Sequence, residues 1–220
     1  MTPPTPSTDR SPPSQVEATQ HIAGRLFIIS APSGAGKSTL CRAVLQRLPD
    51  LCYSVSHTTR RPRGGEKNGV DYYFISPAAF REGVNTDKWA EWAKVHGNYY
   101  GTSAEYIDRA LGEGCDVLLD IDVRGMEQIL KRYPDSVTIF IMPPSLAVLR
   151  QRLQDRGTDS EASISERLDT AAAEINQRQR YQHIVVNDRL EEAVEKLTAI
   201  IAAGRTDRFS AAGANLVRSK

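Results

Sequence analysis

Leu26-Phe27-Ile28-Ile29-Ser30 runs without a break into Ala31-Pro32-Ser33-Gly34-Ala35-Gly36-Lys37-Ser38-Thr39. The first five residues read as a buried strand, and the next nine as a loop of small side chains closed by a lysine and two hydroxyls. That layout suits a triphosphate. Small residues let consecutive N–H groups turn inward around the β-phosphate, Lys37 brings a point charge to the β/γ oxygens, and the Ser38 hydroxyl can ligate Mg²⁺. The helix expected to begin there adds its positive dipole end. Ala31 stands where the strict pattern has glycine, at the position least involved in close approach to phosphate. The segment predicts a donor site for ATP or GTP phosphates. A ligand-free strand-to-helix turn is the bland alternative, and the strand and helix on either side argue against it.

Beyond this segment, apolar runs alternate with helical patterns: Val117 to Ile121, a helix to about Lys131, Val137 to Met142, a helix from Ser145, His183 to Val186, and a last helix from Leu190. Continuous apolar strands alternating with helices predict an α/β protein with a parallel sheet covered on both faces, the three-layer P-loop NTPase arrangement. Residues 1–23 hold five of the twelve prolines (Pro3, Pro4, Pro6, Pro12 and Pro13) and read as a disordered extension. The domain is expected over 24–204, with its core in 24–52 and 103–204. A small, mostly β insert over 53–102 interrupts the rhythm with Thr, Tyr, Gly and charge, and a short helical lid is expected over 155–166. Residues 205–220 form a basic, polar tail, read as frayed helix or disorder.

The 220 residues carry a net charge of +1, with 40% hydrophobic and 25% charged side chains. A chain this size can bury a full core, and the balance lacks the basic face of a nucleic-acid binder. No apolar stretch reaches the roughly 20 residues that span a bilayer, and the N-terminus lacks the apolar stretch of a signal peptide. The expectation is a cytoplasmic protein with no membrane or nucleic-acid partner, and a homo-oligomer is left open. Cys41, Cys52 and Cys115 are widely spaced with no Cys-x-x-Cys pair, so they read as reduced thiols in or near the core. His21, His57, His96 and His183 share no metal-ligand spacing.

Phosphoryl transfer needs two aligned substrates and neutralised charge more than covalent help, so a second phosphate site is expected. Ser54-Val55-Ser56-His57-Thr58-Thr59-Arg60-Arg61-Pro62-Arg63 offers three guanidinium forks suited to phosphate oxygens. With Tyr72 and Tyr99-Tyr100 it reads as a monophosphate pocket; a solvated basic loop is the alternative. A carboxylate there would accept the adjacent N1–H and amino donors of guanine, a pair that adenine lacks. Glu91 is the first candidate and Asp122 the second, with Ser56 or Thr102 as hydroxyl partners, although a residue like Glu91, taken singly, is more often at the surface. Val117-Leu118-Leu119-Asp120 has the form of a strand whose terminal carboxylate helps hold Mg²⁺, and Asp122 would share its side if the strand persists. Arg152, Arg156 and Arg167 could close over a γ-phosphate, or simply pair with Asp155, Asp159 or Glu161.

In order and spacing, the chain over about 25–203 resembles the guanylate kinase family. The likeness rests on Ala31 to Thr39, Ser54 to Arg63, Gly69-Val70-Asp71-Tyr72, Glu91-Trp92, Gly97-Asn98-Tyr99-Tyr100-Gly101-Thr102, Leu119-Asp120-Ile121-Asp122, Arg156-Gly157 and Val186-Asn187-Asp188. It implies an ATP-dependent phosphorylation of GMP, and of dGMP, with Mg²⁺ and with GMP and ATP as small-molecule substrates. It further implies that Ala31, Pro32, Ser33, Gly34, Ala35, Gly36, Lys37, Ser38 and Thr39 bind ATP. Arg60, Arg63, Tyr72 and Tyr100 would hold the GMP phosphate, while Ser56, Glu91, Thr102 and Asp122 would read guanine. Ser38 and Asp120 would attend the metal, Asn187 would lie near adenine, and Lys37, Arg152, Arg156 and Arg167 would act on the transferring group. Two rivals stand beside this: a ribose 1,5-bisphosphate phosphokinase-like enzyme, which need not read guanine, and a non-catalytic binding module of related fold, which would lack a working phosphate loop.

Overall fold

The computed structural model describes residues 23–95, 97–155, 157 and 160–217, with side chains as far as residue 206. The extension read over 1–23 lies outside the described residues apart from Ala23. All five residues of β1 (Leu26–Ser30) are buried. The strand pairs in parallel with β7 (Val117–Asp120) on one side and β8 (Val137–Met142) on the other. With β2 (Cys52–Tyr53) and β9 (His183–Val186) at the edges, the order is β2-β7-β1-β8-β9, parallel throughout.

The two-residue period of β1 splits its side chains between two layers. Phe27 and Ile29 pack with Leu40 and Val44 of α1 (Lys37–Arg47) and with Leu197 and Ile201 of α7 (Leu190–Val217). Leu26 and Ile28 pack with Ile107 of α3 (Ala104–Gly112) and with Met126 and Ile129 of α4 (Val123–Arg132). Each such side chain contributes on the order of 1.5–3 kcal/mol on burial, so both faces of the sheet must be covered, as the apolar run predicts.

The insert forms a second sheet, ordered β4-β3-β6-β5, from β3 (His57–Thr58), β4 (Tyr73–Phe74), β5 (Trp89–Val95) and β6 (Asn98–Ser103). It also contains a helix, α2 (Pro77–Asn85), capped by Ser76, whose hydroxyl accepts from the Ala79 N–H at 3.1 Å. Phe80 of α2 stacks on Trp89 at 4.6 Å. The insert docks on the core along α4. There the Gln128 side chain accepts from the Trp92 N–H at 3.2 Å and donates to the Trp92 carbonyl at 3.1 Å, imitating a neighbouring strand.

Three local readings change, and the tail, read as frayed helix or disorder, is helical to Val217. Tyr53, read as the first residue of the insert, pairs with Leu118 in the core sheet. Strand β7 stops at Asp120, so Asp122 does not continue its alternation but caps α4, its carboxylate accepting from the Gly125 N–H at 2.7 Å. Helix α7 continues past Gly204 to Val217, and Arg205 within it ion-pairs with Asp116 at 2.7 Å and Asp50 at 3.0 Å. The cysteine reading is corrected as well: Cys52 and Cys115 form a disulfide, and only Cys41 is a free, buried thiol. The register of β2, which sets Cys52 opposite Val117, brings together two cysteines 63 residues apart, a proximity that spacing alone could not reveal. Of the expected lid, residue 155 ends α5 (Leu146–Asp155) and residues 161–166 open α6 (Glu161–Asn176), and the two helices meet through Leu149, Leu153 and Ile164. No helix among the described residues is long and apolar enough to cross a membrane.

Candidate active site

The loop after β1 emerges at the carboxyl edge of the sheet, between β7 and β8, where the strand order reverses and open α/β sheets leave a crevice. Gly34 and Gly36 have φ of +92° and +91°, the left-handed region that glycine enters freely. A Cβ on Gly34 would lie 2.9 Å from Leu149 Cδ1, so α5 packs directly on the loop. Asn187, buried after β9, donates its amide to the Ala35 carbonyl at 2.8 Å and sits against Gly36. These contacts close the turn so that α1 begins at Lys37 with its amides facing the crevice. Lys37 ion-pairs with Asp120 and donates to the Ile121 carbonyl at 3.4 Å. Burial disfavours its charge, but Asp120 outweighs burial and holds the ammonium pKa above its ordinary value.

Across from the loop, Ser56, Glu66 and Tyr72 of the insert line the same cavity as Lys37, Ser38 and Asp120, about 720 Å³ in volume. Arg60 reaches its edge, where both guanidinium arms donate to the Glu66 carboxylate at 2.8 and 3.0 Å. The Arg63 N–H adds a bond to the same carboxylate at 2.7 Å. Arg60 also lies 5.5 Å from the centre of the Tyr72 ring, which meets Tyr100 edge-on at 5.9 Å. Arg60 is thus folded onto one carboxylate in the geometry of a bidentate anion site, while Arg61 and Arg63 beside it are exposed. Glu91 is not a surface residue either. It is buried, accepts the Thr102 hydroxyl at 2.6 Å, and turns its second oxygen toward Gly125, where a Cβ would lie 2.9 Å away. Burial, opposed by the Thr102 bond and reinforced by the charge of Asp122, pushes the Glu91 pKa up to about 7.

Residues 23–204 match the guanylate kinase family. The guanylate kinase of Geobacter metallireducens is 50% identical over 186 residues, covering 84% of this chain and 92% of that protein. That of Methylobacillus flagellatus is 47% identical over 187 residues, covering 85% and 93%. A crystal structure of guanylate kinase from Anaplasma phagocytophilum superposes with a TM-score of 0.68 at 31% identity, over 84% of this chain and 87% of that one. This chain belongs to the guanylate kinase family. It is therefore an enzyme, and the crevice between loop and insert is the candidate active site of a guanylate kinase-family protein.

Around that crevice the lid arginines divide. Arg152 donates to the Asn187 carbonyl at 2.9 Å, and Arg167 faces Ser33 of the phosphate loop across a cavity of about 270 Å³. Arg156 lies outside the described residues. Glu161, one of the carboxylates weighed for surface pairing, accepts from Arg150 at 3.2 Å. Sequence reasoning missed Glu66, though its place three residues after Arg63 in a Gly-rich turn was a legible hint. It also missed Arg42, which follows Ser38 by four on α1 and lines the same cavity. Gln128 carried no signal, because its role exists only once β5 lies against α4.

No group of three or more His, Cys, Asp or Glu among the described residues could hold a metal alone. Ser38 and Asp120 bring two hard oxygen donors to the shared cavity, which fits Mg²⁺: it typically takes one or two protein ligands and completes its shell with phosphate and water.

Proposed function

We propose that this enzyme transfers the γ-phosphoryl group of ATP to GMP, giving ADP and GDP. The observation that carries the reading is the single cavity on which Lys37 of the phosphate loop and the Glu66 and Tyr72 surroundings of Arg60 converge. Two anionic substrates could meet there end to end.

In this reading the loop amides and Lys37 hold the β- and γ-phosphates of ATP, and the ion pair with Asp120 keeps the ammonium aimed at them in the free enzyme. Arg60, Arg63, Tyr72 and Tyr100 receive the acceptor phosphate, with Glu66 holding the Arg60 fork in a preformed orientation. Glu91, ordered by Thr102, accepts the N1–H and amino group of guanine, and Asp122 and Ser56 complete the pocket. A phosphate oxygen of GMP attacks the γ-phosphorus while its bond to the bridging oxygen of ATP breaks. The acceptor is already an anion, so no side chain has to remove a proton. In this reading Arg152, Arg156 and Arg167 neutralise the transferring group, and Asn187 braces the phosphate loop through the Ala35 carbonyl. Mg²⁺, held by Ser38 and Asp120, would supply charge neutralisation at the phosphates.

The buried Glu91–Thr102 pair favours guanine over a ribose 1,5-bisphosphate acceptor, which has no base to read. The complete loop favours catalysis over a binding-only module. A coupled assay of ADP release with GMP, dGMP, AMP, UMP and ribose 1,5-bisphosphate tests this: GMP should be turned over faster by a factor on the order of 10⁴ than AMP. Comparable rates with AMP would reject the guanine assignment.

A further inference from the structure

The two short strands of the insert that serve the candidate active site have a second face. Ser56 and Tyr72 line the catalytic cavity, whereas their neighbours His57 and Tyr73, one residue on, line another of about 410 Å³. Ser56 and Tyr72 immediately precede β3 and β4, and successive residues of extended chain point to opposite sides, so the same two segments wall both cavities. The second is large enough for a small ligand.

Its lining divides into two chemistries. The aromatic side is formed by Tyr53, His57, Tyr73 and Tyr106, with the His57 and Tyr73 rings stacked at 4.7 Å. Nδ1 of His57 is buried and has no hydrogen-bond partner among the described residues. Burial, with the nearby Lys88 charge, depresses the His57 pKa to about 4, so the ring is neutral at physiological pH. The cationic side is formed by Lys88 and Arg109, neither in an ion pair with a described residue, beside Ser103 at the N-terminus of α3. Glu105 is the one carboxylate in the lining, leaving its side chains a net positive charge.

We infer that this cavity is a second ligand site, distinct from the candidate active site, that takes a planar ring compound carrying a phosphate, of nucleoside monophosphate size. The ring would stack on Tyr73 and Tyr106 with His57 Nδ1 as a polar contact, and the phosphate would lie against Arg109 and Lys88. Glu105 disfavours a bare anion placed centrally, so the rings are needed for binding. An occupant would also press on the segments that carry Ser56 and Tyr72 into β3 and β4, linking the two cavities.

The test uses UMP and inorganic phosphate, titrated by calorimetry into the full chain and into Arg109→Ala, Tyr73→Ala and Arg60→Ala. Tyr73, Lys88 and Arg109 are exposed, and thermal melts check that the variants fold. UMP is expected to bind the wild type and Arg60→Ala alike, and at least about tenfold more weakly to Arg109→Ala and Tyr73→Ala, a loss of about 1.4 kcal/mol; GMP turnover without UMP should be unchanged in those two. Absence of UMP binding, loss of it in Arg60→Ala but not in Arg109→Ala, or equal affinity for inorganic phosphate would each overturn the proposal.

Discussion

The Glu91 carboxylate accepts the Thr102 hydroxyl at 2.6 Å, a buried contact between adjacent strands β5 and β6. Its pKa stands near 7 instead of the ordinary 4.5, because burial costs the charged form more than the Thr102 bond returns. The folded chain thus binds this proton more tightly than the unfolded chain. The associated stability is full below pH 4.5 and disappears as the pH rises through about 7. The proposed reading of guanine by Glu91 requires the opposite, ionised form.

The KM for GMP should therefore rise as the pH falls below about 7 while the KM for ATP stays flat. Glu91→Gln should abolish that pH dependence, and at pH 8 should gain up to about 2–3 kcal/mol in folding stability relative to its effect at low pH. Initial rates and thermal melts across the pH range check both. A wild-type GMP profile that stays flat from pH 6 to 8 would contradict the buried-carboxylate account.

Lys37→Ala should lower kcat by about 10²–10³ with little change in melting temperature, since the lysine acts on charge that develops during transfer. The substitution also leaves Asp120 without its cation. Lys37→Ala combined with Asp120→Asn should consequently melt no lower than the single variant. Kinetics and differential scanning calorimetry of the pair decide it.

Asn187→Ala removes the bond to the Ala35 carbonyl, and should cost about 1–2 kcal/mol of stability. Because the lost contact braces the donor loop, the KM for ATP should rise several-fold and that for GMP should not. Asn187→Asp should be worse on both counts, since it turns a carboxylate oxygen toward the carbonyl that the amide had satisfied.

Denatured without reductant, the protein should show one reactive thiol, Cys41, and three after reduction. In the native state even Cys41 should be inert, because burial pushes its pKa up to about 12 and keeps it protonated. Replacing Cys52 and Cys115 by serine should cost about 2–4 kcal/mol, as expected for opening a long closed loop. Thiol titration and chemical denaturation test the two halves independently.

The donor half was legible in order because its parts are local. A five-residue buried strand with four apolar side chains, two glycines at the turn and a lysine at the first helical position follow one another along the chain, and each is read within a single turn of backbone. The acceptor half was legible only as residue types. Arg60, Tyr72, Tyr100 and Glu91 could be singled out by their chemistry, but the carboxylate that folds the arginine loop and the amide that docks β5 on α4 depend on which segments meet. Asp122 shows the limit at its shortest range, since one broken strand turned an expected neighbour of Asp120 into a helix cap.

From its residues alone this chain determined a parallel α/β core, a phosphate loop and the ingredients of the proposed guanine pocket, because apolar period and loop chemistry act over a few residues and need no partner. The pairing of Cys52 with Cys115, the burial that lifts Glu91, the brace from Asn187 to Ala35 and the two-faced strands of the insert were decided by tertiary structure. Each joins positions ten to more than a hundred residues apart, or turns on what covers a side chain, and only packing settles which distant groups share a space and how much water reaches them.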